Sequence, residues 1–193
     1  MTLSEFSIEF DVLYNNISSN QAPGLTEYEK SIFLTQAQES LVVELYKGSL
    51  GDSFENTEEV TRYLSSLVKT IPSEDYTIPE DCLFIVSVTD FKTNMVIAPT
   101  THDRAIKEKK NPFKNNTERL LYLSEGNKIK LLGDLPNPII NISYLSKPTP
   151  IILEPLSGFT INGKSEESNT NLPESLHRTI LLKAVQLAKA IWA

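Results

Sequence analysis

The sequence predicts an α+β domain in which N- and C-terminal helices form a helical bundle with an inserted antiparallel β region. Three observations predict it. Apolar residues recur at spacings of three and four within residues 1–70 and again within 172–193, the period of a helix with one buried face. Between them, β-branched and aromatic runs are bounded by Gly, Asn and Pro, the pattern of strands and turns. Two Thr-x-x-Glu sequences mark helix starts, since each places a hydroxyl and a carboxylate where they can satisfy free amides of a first turn. Residues 1–193 are read as one domain, with 1–70 and 172–193 as the bundle and 82–164 as the β-rich insertion.

The first helix follows from Thr2 and Glu5, with Leu3, Phe6, Phe10, Leu13 and Ile17 on one face over about residues 3–18. Pro23-Gly24 breaks it. The second runs from about 27 to 47: Thr26 and Glu29 open it, Tyr28, Ile32, Phe33, Ala37, Leu41 and Leu45 line it, and Gly48 supplies a left-handed stop. A third, shorter helix has Val60, Tyr63, Leu64, Leu67 and Val68 on one side and ends near Lys69.

Strands follow. "LFIVSVTDF" and "MVIA" flank a Lys92-Thr93-Asn94 turn, and Leu121 and Leu123 answer Ile129 and Leu131 across Gly126-Asn127. "IINISYL" is a further strand, followed by "SKPTPIIL", whose prolines exclude central pairing. That stretch, with Lys147, Pro148 and Pro150, reads either as an edge that adds to a neighbour's sheet or as an ordinary edge within the chain. Asn162-Gly163 is a turn, and a last helix has Pro173 in its first turn with Leu176, Ile180, Ala184, Leu187 and Ile191 on one face.

Composition narrows the function. A chain of 193 residues, 40% hydrophobic and 22% charged, buries roughly 70% of its unfolded surface. Cys82 is the single cysteine, so no intrachain disulfide forms and a cysteine-rich zinc site lacks ligands. The start "MTLSEFSIEF" carries acids where a signal peptide needs Lys or Arg, and no apolar run approaches the ~20 residues of a membrane span. A soluble protein made in a reducing cytoplasm, without membrane contact, is expected. Residues 1–98 hold 16 acidic and 5 basic side chains, net −11, and residues 99–193 hold 9 and 13, net +4. Such polarity favours head-to-tail contacts between copies, which close into rings.

Candidate chemistry is sparse. His102 and His177 are the two histidines. No G-x-S-x-G elbow, H-E-x-x-H, EF-hand spacing or glycine-rich phosphate loop occurs, so no catalytic, metal or cofactor residue is assigned. Thr101-His102-Asp103 reads as a helix start, with Thr100 or Thr101 as the cap, Asp103 at the positive end and lysines at the negative end. His177, one residue off the apolar stripe, reads as a surface or half-buried structural residue. Two alternatives stand beside this: a small cytoplasmic hydrolase using His102 and Asp103, and a nucleic-acid-binding protein. The latter would use the run of Arg104, Lys107, Lys109, Lys110, Lys114 and Arg119, whose net charge with Asp103, Glu108 and Glu118 is +3.

Taken together, "EFDVLYNNISSNQAPGLTEYEKSIFLTQAQESLVVELYKG", "FENTEEVTRYLSSLVK", "VIAPTTHDRAIKEKKNPFK", "ISYLSKPTPIIL" and "LPESLHRTILLKAV" span nearly the whole chain in order. The sequence resembles the head-to-tail connector, or ring, proteins of crAss-like tailed bacteriophages. The resemblance implies a structural virion protein without enzymatic activity. It implies a homo-oligomeric, dodecameric ring at the neck, contacting the portal protein and other neck or tail ring proteins, with DNA passing non-specifically through its channel. The family pattern has a Thr-His-Asp run followed by Asn-Pro-Phe, matched here by Thr101-His102-Asp103 and Asn111-Pro112-Phe113. The chain departs from it at Arg104 and Ala105, where the pattern has an acid and an aromatic residue. A subunit surface is therefore expected from Thr101, His102, Asp103, Arg104, Lys107, Lys109, Lys110, Asn111, Pro112, Phe113 and Lys114, with Phe113 as an apolar anchor.

Overall fold

The computed structural model describes residues 1–15, 24–48, 58–109, 120–132 and 139–191. In chain order the elements are α1 (Leu3–Asn15), α2 (Glu27–Gly48), α3 (Glu58–Leu64), β1 (Val68–Ser73), β2 (Cys82–Asp90), β3 (Val96–Pro99), α4 (His102–Lys109), β4 (Leu121–Glu125), β5 (Lys128–Leu132), β6 (Ile140–Ser146) and α5 (Glu174–Ala190). The class is α+β. Two compact units result: Met1–Leu67 with Pro148–Ala193, and Val68–Lys147.

In the first unit both capping boxes form. Thr2 N–H donates to Glu5 Oε2 at 2.7 Å and Glu5 N–H to Thr2 Oγ1 at 3.2 Å; Thr26 and Glu29 repeat the exchange at 2.8 and 3.3 Å. The Thr26 hydrogen bonds hold the Glu29 carboxyl below its ordinary value. α1 and α2 both lie against α5. α1 buries Phe6, Phe10 and Tyr14, and α5 buries Leu176, Ile180, Leu181, Ala184, Val185 and Ala188. Lys30, buried on α2, donates to Asp11 Oδ2 at 2.6 Å and Glu27 Oε1 at 2.8 Å, tying α2 to α1. Burial opposes the Lys30 charge, but its bonds to Asp11 and Glu27 outweigh that and raise its pKa.

α2 is buried on two adjoining faces. Leu34, Ala37 and Leu41 are buried, and so are Ser31, Thr35, Gln38 and Val42. The polar three grip an extended segment: Gln38 Nε2 donates to Thr149 O at 2.8 Å, Ile151 N–H donates to Thr35 Oγ1 at 3.1 Å, and Leu153 N–H donates to Ser31 Oγ at 3.0 Å. Residues 149, 151 and 153 thus face the helix, while Ile152 exchanges backbone bonds with Ser168 on the other side at 2.8 and 3.2 Å. A helix with polar side chains at i, i+4 and i+7, the first two accepting backbone N–H groups and the third donating to a carbonyl, serves here as the strand's missing neighbour, because buried backbone groups must find partners. Asn162 (φ +50°) and Gly163 (φ +78°) form the expected tight turn, closed by Ile161 and Lys164.

The second unit is a six-stranded sheet in the order β1-β6-β2-β3-β4-β5, all neighbours antiparallel except β3 and β4. Ile78 N–H to Asn127 O (2.9 Å) and Ile129 N–H to Tyr76 O (2.8 Å) bring β5 against the chain that follows β1. The sheet therefore curls around a core of Val88, Ile97, Tyr122, Ile129, Ile142 and Tyr144.

Four expectations change. The β region is mixed rather than antiparallel, because Ala98 and Pro99 run parallel to Leu121 and Tyr122. The third helix stops at Leu64, and Val68–Ser73 is a strand paired with β6; Pro72 fits there because β1 is an outer strand. The sheet unit spans Val68–Lys147, not 82–164, since residues 148–164 lie with the helices. In the β4–β5 hairpin, Tyr122 faces Leu131 and Ser124 faces Ile129, whereas Leu121 and Leu123 lie opposite Leu132 and Lys130. A two-residue turn with Gly126 at φ +61° sets that parity. Among the described residues no helix is long and apolar enough to cross a membrane.

Candidate assembly surface

The parallel pairing of β3 with β4 places α4. Thr100 N–H donates to Tyr122 O at 2.9 Å, and Thr101 O accepts the Ala105 N–H at 2.9 Å, so Thr101 is the residue at which the helix opens. The Thr100 hydroxyl is buried without a hydrogen-bond partner, so Thr100 is not the cap. Ala105 is the buried anchor of α4, and Thr101, His102, Asp103, Arg104 and Ile106 are exposed. Lys107 and Lys109 lie on α4, but their side chains fall outside the described residues, as do Lys110, Asn111, Pro112, Phe113 and Lys114.

His102 and Asp103 stand on the exposed first turn of α4. His177 is buried in the other unit with both ring nitrogens engaged: Nδ1 with the Met1 amino nitrogen at 2.9 Å and Nε2 with Leu172 O at 3.1 Å. Burial pushes its pKa below the ordinary histidine value. It is therefore a neutral core residue rather than a surface or half-buried one, with Nε2–H donating and Nδ1 accepting. Among the described residues no cluster of three His, Cys, Asp or Glu could hold a metal ion.

The other expected contact residues divide. Lys147 is exposed, and its N–H donates to Asp81 O at 2.7 Å. Pro148 and Pro150 are buried, and the segment they start is the one gripped by α2. Its backbone is therefore already partnered inside the chain. Nearby, Asp81 accepts from Lys69 Nζ at 2.6 Å and from Tyr144 Oη at 3.1 Å. The Lys69 bond holds Asp81 low, and burial followed by the Asp81 carboxylate pushes Tyr144 up to about 12.

The Lys92-Thr93-Asn94 turn forms as expected between β2 and β3, but the sequence did not mark it as a candidate surface. Asp90 is only 2% exposed, and its Oδ2 accepts the Thr93 N–H at 2.8 Å and the Thr93 hydroxyl at 2.6 Å. Those bonds hold its carboxyl below the usual range. Asp90 N–H donates to Met95 O, Asn94 N–H donates to Asp90 O, and Phe91 N–H donates to Ile139 O at 3.2 Å. Asn94 adopts φ +55°. This firmly built turn presents Phe91, Met95 and Val96 at 47%, 39% and 68% exposure. The Asp-x-x-Thr-Asn pattern was the available signal, since Asp and Asn close turns through their own side chains.

Similar proteins place the chain. Two curated relatives come from Bacteroides phage crAss001. "Ring protein 3" is 38% identical over 218 aligned positions, covering 97% of this chain and 95% of the relative. "Ring protein 4/5" is 33% identical over 223 positions, covering 100% of this chain and 94% of the relative. The family model described as phage tail ring protein 3/4 matches residues 1–192, across both units. The chain thus belongs to the phage tail ring protein 3/4 family.

Proposed function

We propose that this chain is a structural virion subunit that forms a closed, dodecameric ring in the phage neck, joins the portal to the tail and encloses the DNA channel. The observation that carries the proposal is the family match from residue 1 to residue 192. Charge supports it. The helical unit holds 15 acidic and 7 basic residues, net −8, and the sheet unit holds 10 and 11, net +1. Identical copies with such poles attract head to tail, and a net negative ring lets DNA pass without sticking.

The exposed side of α4, with Lys107, Lys109, Lys110 and the Asn111-Pro112-Phe113-Lys114 stretch, is the proposed subunit surface, and Phe113 is its apolar anchor. Other neck rings are the remaining partners, the ring is assembled from chains made in the host cytoplasm, and the role is non-catalytic. Native mass spectrometry of the wild type and of Phe113→Ala, each alone and mixed with portal protein, tests this. Wild-type rings that weaken in the variant support the surface. Unchanged rings in the variant remove Phe113 from it, and a wild type that never leaves the monomer in either mixture removes the ring.

A further inference from the structure

The sheet unit carries an exposed apolar knob and an apolar cleft at opposite ends of one strand. β2 pairs with β3 through Val88 and Thr89, and β3 then turns away to run beside β4. The first half of β2, next to a bulge between Cys82 and Phe84, is left facing a cleft of about 380 Å³ whose walls include Ile78, Phe84, Ile85, Pro99, Thr100 and Tyr122. That volume lies in the roughly 300–1,000 Å³ range of sites that accept a substantial apolar group. The last residue of β2, Asp90, anchors the turn that presents Phe91, Met95 and Val96.

Exposed apolar clusters on a soluble surface mark contacts, and here a buried carboxylate holds the cluster in place. Ile85 and Phe91 are six residues apart, about 20 Å along a strand at ~3.3 Å per residue, so a molecule cannot fill its own cleft with its own knob. Charge agrees with an exchange between copies. Lys92 is exposed on the knob, while Glu74, Asp75 and Glu80 are exposed on the segment that runs past Ile78 to the cleft wall. We infer that the β2–β3 turn of one copy seats Phe91 and Met95 in the β2–β4 cleft of the next copy, a heterologous contact of the kind that closes into a ring. This rests on the ring reading and names a contact surface for it beyond α4.

Cys82 lies in the cleft wall and is the chain's single cysteine, which gives a direct test. Assembled Phe91→Cys protein, with Met95→Cys run alongside because Phe91 is itself a contact, is treated with a short bis-maleimide and resolved under denaturing conditions. With one thiol in the knob and one in the cleft, copies join in series, so a ladder of dimer, trimer and higher species is expected. Wild type, with one thiol per copy, stops at the dimer. Phe91→Ser and Ser124→Trp, which remove the knob and block the cleft, should each lower the assembled fraction at least tenfold with unchanged circular dichroism. Intact rings of both cysteine variants that give no species beyond the dimer overturn the inference and leave the ring reading standing. A wild type that never assembles overturns both.

Discussion

Replacing Thr35 by Val tests whether α2 holds the extended segment. Thr35 Oγ1 accepts the Ile151 N–H at 3.1 Å and donates to Ile151 O at 3.3 Å, with both residues buried. Valine keeps the β-branched shape and has a similar helix propensity, so neither a cavity nor a change in the helix contributes. What changes is that two backbone groups of Ile151 lose their partner in a dry place. Each such group costs about 1–3 kcal/mol, and the longer bond to the carbonyl belongs at the low end. The expected loss is about 2–4 kcal/mol. With a urea slope of ~2 kcal/mol/M, the unfolding midpoint falls by about 1–2 M. Hydrogen exchange of a peptide covering residues 148–153 localises the effect, because the Ile151 amide should lose protection before those of α5. A loss below about 0.5 kcal/mol, with that amide still protected, would refute the claim that the helix side chains replace a strand.

Two further predictions follow from buried ionisable groups. In the folded chain burial holds His177 neutral below its ordinary pKa of 6.5, while in the unfolded chain it takes up a proton below about 6.5. The unfolded state thus binds more protons as pH drops, so stability present at pH 7 declines as pH falls below 6.5 toward the folded value; His177→Gln should flatten that part of the stability–pH curve, and an unchanged slope in the variant would assign it elsewhere. Lys30→Met should cost about 1–2 kcal/mol by urea titration rather than the ~3–5 of a fully buried pair, because Asp11 and Glu27 remain 46% and 27% exposed and stay hydrated when the cation is gone.

The two long N-terminal and C-terminal helices, both capping boxes, the β2–β3 and β4–β5 turns and the Asn162-Gly163 turn were legible because each is dictated by neighbours within a few residues. The misses share a different cause. Ser31, Thr35 and Gln38 look like a solvent face of α2, yet they are buried by a segment more than 110 positions away, a partner no local pattern announces. Val68 continues a helical stripe in the sequence, but pairing with Leu145 takes it into β1, a case of tertiary context overriding propensity. The parallel step from β3 to β4 depends on where α4 returns the chain, and sequence spacing does not encode it. For the candidate surface, the exposed start of α4 followed from its caps and charges. Pro148 and Pro150 read as an open edge because prolines exclude central strands, and the helix that occupies that edge was invisible. The apolar knob was passed over because Phe91, Met95 and Val96 count as core formers until Asp90 is seen to turn them outward.

The most direct test of the central claim is electron microscopy of the purified chain, alone at high concentration and mixed with portal protein. Closed rings of identical subunits, free or seated on the portal, are predicted. Single chains in both samples, with no density added to the portal, would contradict the account.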